Sequence, residues 1–163
     1  MSTSIIVADA SPLIALAKLD RLDLLNALFS TLHVPDTVYT EVTVDQSRSD
    51  ARLLKVFLAE YSTSHVEIEN SFTQEISQVL DAGEIQALAL SRELNCGVLM
   101  EELRGRKVAQ RYDIQTVGIL GLLMQGKRMG LINEVSPLIE ELQAQNYRLS
   151  SSLIRSVLQL VGE

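Results

Sequence analysis

Asp9, Glu41, Glu84 and Glu101 are the residues whose types and placing could do chemistry. Asp9 ends the apolar run Ile5-Ile6-Val7-Ala8, and Glu101 with Glu102 ends the run Gly97-Val98-Leu99-Met100. Short apolar runs of this kind suit strands buried on both faces. Glu41 and Glu84 fall on stretches with helical patterning, near the helix starts. If the strands run parallel, all four acids converge on one edge of a sheet. Carboxylates crowded together repel and titrate high unless a cation joins them. Hard divalent ions such as Mg2+ or Mn2+ take oxygen ligands of this kind. A site of that composition suits metal-assisted attack of water on a phosphodiester. Each acid also has a plainer reading. Asp9 could accept a hydrogen bond from the Ser11 or Leu13 amide, and Glu41 could sit where a helix dipole favours an acid. Glu84 follows Asp81 by three, the spacing of a capping box.

The elements that must position these acids follow from pattern. Ser11 is a candidate N-cap and Pro12 a candidate first helical residue, predicting a helix to Lys18. Leu22, Leu24, Leu25, Leu28 and Phe29 make a second helical stripe, with Asp20 as its cap. Leu32-His33-Val34 reads as a brief strand. Asp36 then caps a helix from Thr37 to Val44 that carries Glu41. Ala51 to Glu60 reads as helix, and His65 to Ile68 as a short alternating strand. Asp81 opens a helix to Asn95. Beyond Met100, Arg104 to Arg111 reads as a basic helix and Ile114 to Val117 as a strand. Helices follow over Gly118 to Met129 and Asn133 to Asn146, with a last one capped at Ser150 or Ser151. Strands alternating with helices imply an α/β fold: a parallel sheet with helices on both faces.

The totals narrow the class. The chain has 163 residues, 47% of them hydrophobic, which is enough for one domain over residues 1–163 with a real core. Its single cysteine, Cys96, excludes an internal disulfide and fits a reducing cytoplasm. No apolar stretch is long enough to span a bilayer, and the N-terminus lacks the basic flank of a signal peptide. A net charge of −7 argues against general affinity for nucleic acid, yet leaves room for a nuclease with a local basic patch. Arg104, Arg106, Lys107 and Arg111 supply such a patch beside Glu101, and Arg suits phosphate oxygens. His33 and His65 stand apart from any nucleophile or metal set and read as structural. No second aspartate follows Asp9 by two and no glycine-rich phosphate loop is present, which disfavours phosphoryl transfer through Asp9.

Taken together, the stretches Val7-Ala8-Asp9-Ala10-Ser11-Pro12-Leu13-Ile14, Val34-Pro35-Asp36-Thr37-Val38-Tyr39-Thr40-Glu41, Leu80-Asp81-Ala82-Gly83-Glu84, Leu99-Met100-Glu101-Glu102-Leu103-Arg104, Gly118-Ile119-Leu120-Gly121 and Tyr147-Arg148-Leu149-Ser150 resemble the PIN-domain nucleases, the superfamily of VapC-type toxins. The resemblance spans nearly the whole chain. It implies a Rossmann-like three-layer α/β/α sandwich with a mainly parallel central sheet. It further implies a Mg2+- or Mn2+-dependent ribonuclease, a small antitoxin partner and a homodimer. By the same resemblance Asp9, Glu41 and Glu84 are the first three metal ligands, and Ser11 matches the family's hydroxyl close to the first acid. Glu101 falls where the family places an aspartate, and that extra methylene is a departure to which metal geometry is sensitive. Glu102 could also reach the site, while Arg104 and Arg106 would hold substrate. The alternative that follows from Glu101 and the negative charge is a PIN-like binding module with weak or no catalysis.

Overall fold

A computed structural model describes residues 4–163. Its strands are β1 (Ile5–Ala8), β2 (Thr31–Pro35), β3 (Ser62–His65), β4 (Gly97–Leu99) and β5 (Thr116–Val117). The helices are α1 (Ala10–Lys18), α2 (Asp23–Leu28), α3 (Asp36–Thr43), α4 (Ser49–Tyr61), α5 (Ser71–Ile76), α6 (Ala82–Leu94), α7 (Leu103–Arg111), α8 (Ile119–Arg128), α9 (Ser136–Ala144) and α10 (Ser151–Leu160). The sheet order is β3-β2-β1-β4-β5, and every pair in it is parallel.

The central strand explains the layers. Ile6, Val7 and Ala8 are buried, and successive side chains of a strand point to opposite faces. On one face Ile6, Ala8, Leu32, Val34 and Leu99 pack with Leu13 and Leu16 of α1, Leu54 and Leu58 of α4 and Ile119 of α8. On the other, Val7, Val98 and Met100 pack with Leu88 and Leu90 of α6 and Val108 of α7. The result is the expected three-layer α/β/α sandwich. The chain first builds outward through β2 and β3, then crosses back to lay β4 and β5 on the other side of β1. The crevice at the carboxyl ends of β1 and β4 is therefore the topological switch point, the usual ligand position in such sheets. Among the described residues no helix is long and apolar enough to cross a membrane.

Several local expectations are corrected. The N-cap of α1 is Asp9, not Ser11, which lies inside the first turn. Asp20 takes a left-handed conformation (φ 55°) after α1 rather than capping α2, whose N-cap is Leu22. The Thr37 helix begins one residue earlier, at Asp36. Glu41 consequently lies in its last turn, where the helix dipole does not favour an acid. The third strand covers Ser62–His65, with Leu32 opposite Ser62 and Pro35 opposite His65, so its polar residues are drawn in by edge pairing rather than by their own apolar alternation. Beyond it, Gln86 of α6 ties the following segment at both backbone groups of Ile68, at 2.8 and 2.9 Å. Helix α5, for which the pattern predicts nothing, is held by a capping box between Asn70 and Thr73.

Candidate active site

At the end of β1 the Asp9 amide donates to the Leu99 carbonyl at 2.9 Å, which carries the sheet one residue past the strand and places the acid between β1 and β4. The Asp9 side chain makes no capping bond to α1, although only 5% of the residue is exposed. The Ser11 or Leu13 amide bond that would have made its burial routine is absent.

Helix α6 brings the next acids. Asp81 accepts from the Glu84 amide at 2.9 Å and Glu84 accepts from the Asp81 amide at 3.0 Å, so the predicted capping box forms and holds both carboxylates. Glu84 is buried, whereas Glu41 reaches in from α3 at the exposed mouth. Gly83 is the contact point. A Cβ at that position would lie 3.2 Å from Glu41 Oε2, 3.5 Å from Asp9 Oδ1 and 3.6 Å from Asp81 Oδ1. Three carboxylates from three elements thus ring one spot, and a side chain there would press on Glu41 and touch the other two.

These residues, with Ser11, Ile14, Glu102, Arg104 and Tyr147, line a cleft of about 450 Å³. Its electrostatics are unfavourable to the acids. Burial, together with the charges of Glu84, Asp81 and Glu41, raises the Asp9 pKa to about 7 against the opposing pull of the Ala10 amide. Burial and Asp81 push Glu41 upward. Glu84 is raised by burial and by Asp81 and Glu102, with the Asp81 amide and Arg104 pulling it down. Acids this crowded, with Arg104 as the one cation among the residues that line the cleft, are a donor set for a hard divalent cation. Among the described residues no three side chains are already grouped to hold one.

The remaining predicted residues divide. Glu102 and Arg104 face the cleft, and Ser11 does too, donating from Oγ to the Tyr147 hydroxyl at 3.4 Å. Glu101 does not. Its Oε2 accepts from the Ile119 amide at 2.9 Å, at the start of α8, and the Tyr147 hydroxyl stands near its carboxylate. Burial raises its pKa while the Ile119 amide, Arg106 and Tyr147 hold it back. Arg106 is likewise drawn behind the cleft, beside Glu101 and 3.5 Å from the Met100 carbonyl. Two polar cleft residues carry no site role in the sequence reading. Asp81 reads there only as a cap, although its place beside Glu84 was the available signal. Tyr147 lies 136 residues from Ser11, and no local pattern announces the contact. Away from the cleft, His33 and His65 stand on neighbouring strands with Nδ1 and Nε2 2.8 Å apart.

A family model described as a PIN domain matches residues 5–163. No curated protein matches the chain.

Proposed function

The chain belongs to the PIN-domain family, whose members are generally nucleases, and on that premise we propose that it is a metal-dependent endoribonuclease, the toxin of a toxin–antitoxin pair. The observation that carries the reading is Asp9: a buried acid at the switch point, ringed by other acids and, among the described residues, supplied with no side-chain donor. Asp9, Glu41, Glu84 and Glu102 would hold Mg2+ or Mn2+, which when bound supplies an acidified water and neutralises charge on the departing oxygen. Asp81 keeps Glu84 in place through the capping box. Arg104, which lines the cleft, would take a non-bridging phosphate oxygen with its planar fork of donors. Ala10 and Ile14 supply apolar lining of the same cleft. Glu101 joins the site through its neighbours rather than through the cleft wall.

The same reading includes a small antitoxin and a homodimer. It is supported by an exposed groove between α2 and α4 in which Leu22, Leu53, Val56 and Phe57 sit among Asp20, Asp23 and Glu60. The rival reading, a PIN-like binding module without efficient catalysis, is favoured by the withdrawal of Glu101 from the cleft. Cleavage of a mixed labelled RNA pool in Mg2+, Mn2+ and EDTA decides between them. The nuclease reading expects cutting that needs metal and that Asp9→Asn abolishes. Folded protein that binds RNA but never cuts it supports the binding module.

A further inference from the structure

Helix α9 ends in a way that throws one side chain back at the cleft. Asn146 takes a left-handed conformation (φ 63°), and the Tyr147 amide returns to the Leu142 carbonyl at 2.9 Å. This is the Schellman arrangement of a helix end, and it holds the backbone of Tyr147 rigidly. The tyrosine hydroxyl then accepts from Ser11 Oγ, in the first turn of α1, at 3.4 Å, and stands near Glu101, after β4. Glu101 has a built place. It is fixed by the Ile119 amide, and a Cβ at Gly118 would come within 3.0 Å of its Oε2 and 2.7 Å of Arg106 Nη1.

The direction of the hydrogen bonds follows from the groups. Ser11 Oγ is the donor to the Tyr147 oxygen, which leaves the Tyr147 proton free to turn to the Glu101 carboxylate near it. The Ser11 proton is thereby taken up by Tyr147. What Ser11 offers the cleft is lone pairs. An acceptor flanked by carboxylates repels phosphate oxygens and welcomes a donor. On a nucleic-acid backbone the donor is the ribose 2′-hydroxyl, the group by which proteins tell RNA from DNA.

We propose that Ser11 reads the ribose 2′-hydroxyl and that Tyr147, held by Glu101, is the positioning residue that orients Ser11 for it. The proposal rests on the ribonuclease reading and adds to it a source of selectivity.

The test measures Kd in EDTA for an RNA oligonucleotide and for DNA of the same sequence, alongside metal-dependent cleavage. The proteins are the wild type, Ser11→Ala, Tyr147→Phe, the double variant, Glu101→Gln and Asp9→Asn. The wild type prefers RNA. Ser11→Ala and Tyr147→Phe each lower that preference about fivefold, the worth of one neutral hydrogen bond. Affinity for DNA stays within about twofold, which loss of general structure would not produce. The double variant falls no further than either single one, because both remove one relay. Glu101→Gln, which keeps an acceptor oxygen, preserves the preference. An unchanged ratio in Tyr147→Phe, or losses that multiply in the double variant, overturns the proposal while leaving the nuclease standing if Asp9→Asn has stopped cleavage. A wild type that neither binds nor cuts RNA overturns both.

Discussion

Asp9 and Glu163 are both carboxylates set against the start of a helix, and the fold treats them in opposite ways. Glu163 accepts from the Val135 and Ser136 amides at the start of α9, at 2.8 and 2.9 Å, and from Lys127 Nζ at 2.8 Å. Burial raises it, but Lys127 and those amides more than offset that and hold its pKa at about 2. Asp9 sits at the N-cap of α1 with no side-chain capping bond and three acids for neighbours, at about 7. Where the fold uses an acid as a tie it supplies donors. In the cleft it supplies more acids, a cost to stability that makes sense only if something outside the chain relieves it.

The largest effect that sharpens this contrast is Asp9→Asn. RNA cleavage should fall by at least about a hundredfold, since even outer residues of metal sites cost 10–100-fold. The same change should stabilise the fold. A raised folded-state pKa means that the contribution of Asp9 is fully present below the unfolded value of 3.8 and is lost as pH rises through about 7. Above that pH the asparagine carries no such cost, and urea unfolding at pH 8 should show a gain on the order of 2 kcal/mol. A loss of stability would mean that Asp9 is tied after all.

Divalent metal comes next. Mg2+ or Mn2+ at about a hundred times its Kd should raise unfolding stability by roughly 2–3 kcal/mol by mass action, and should do nothing for Asp9→Asn. Glu163→Gln, which leaves the cleft untouched, should keep that response in full. Its own cost should be smaller, about 1 kcal/mol after allowance for solvent screening near the surface, and reduced by 1 M salt. Because the folded pKa of Glu163 is depressed, its contribution is present above the unfolded value of 4.5 and disappears as pH falls toward 2. Denaturation at pH 7 and pH 3 reads this directly.

The smallest effect belongs to the histidine pair. Burial, with His65 beside it, lowers the His33 pKa, so its contribution is present above the unfolded value of 6.5 and is lost as pH falls below it. His33→Gln should flatten the stability profile between pH 7 and 5 by a few tenths of a kcal/mol.

Much of the scaffold was legible because its rules are short-ranged. The runs ending in Asp9 and Glu101, the capping box of Asp81 and Glu84 and the Ser150 cap, whose Oγ accepts from Leu153, all depend on residues within a few positions of one another. Edge strand β3 was misplaced because pairing with β2, not composition, defines it. The site was half legible. Asp9, Glu41, Glu84, Glu102, Ser11 and Arg104 do share a cleft, whereas Glu101 and Arg106 stand behind it.

The amino-acid order by itself determined a parallel α/β sandwich with acids at the carboxyl ends of two buried strands, because periodicity and caps are decided within a turn or two of chain. Only the tertiary structure decided where each side chain spends its hydrogen bonds. It turned Glu101 toward Ile119, brought Tyr147 across to Ser11 and set Gly83 where three carboxylates meet. Those choices depend on which elements come to lie beside one another, and nothing within a few residues of Glu101 or Tyr147 distinguishes a group that faces the cleft from one that supports it.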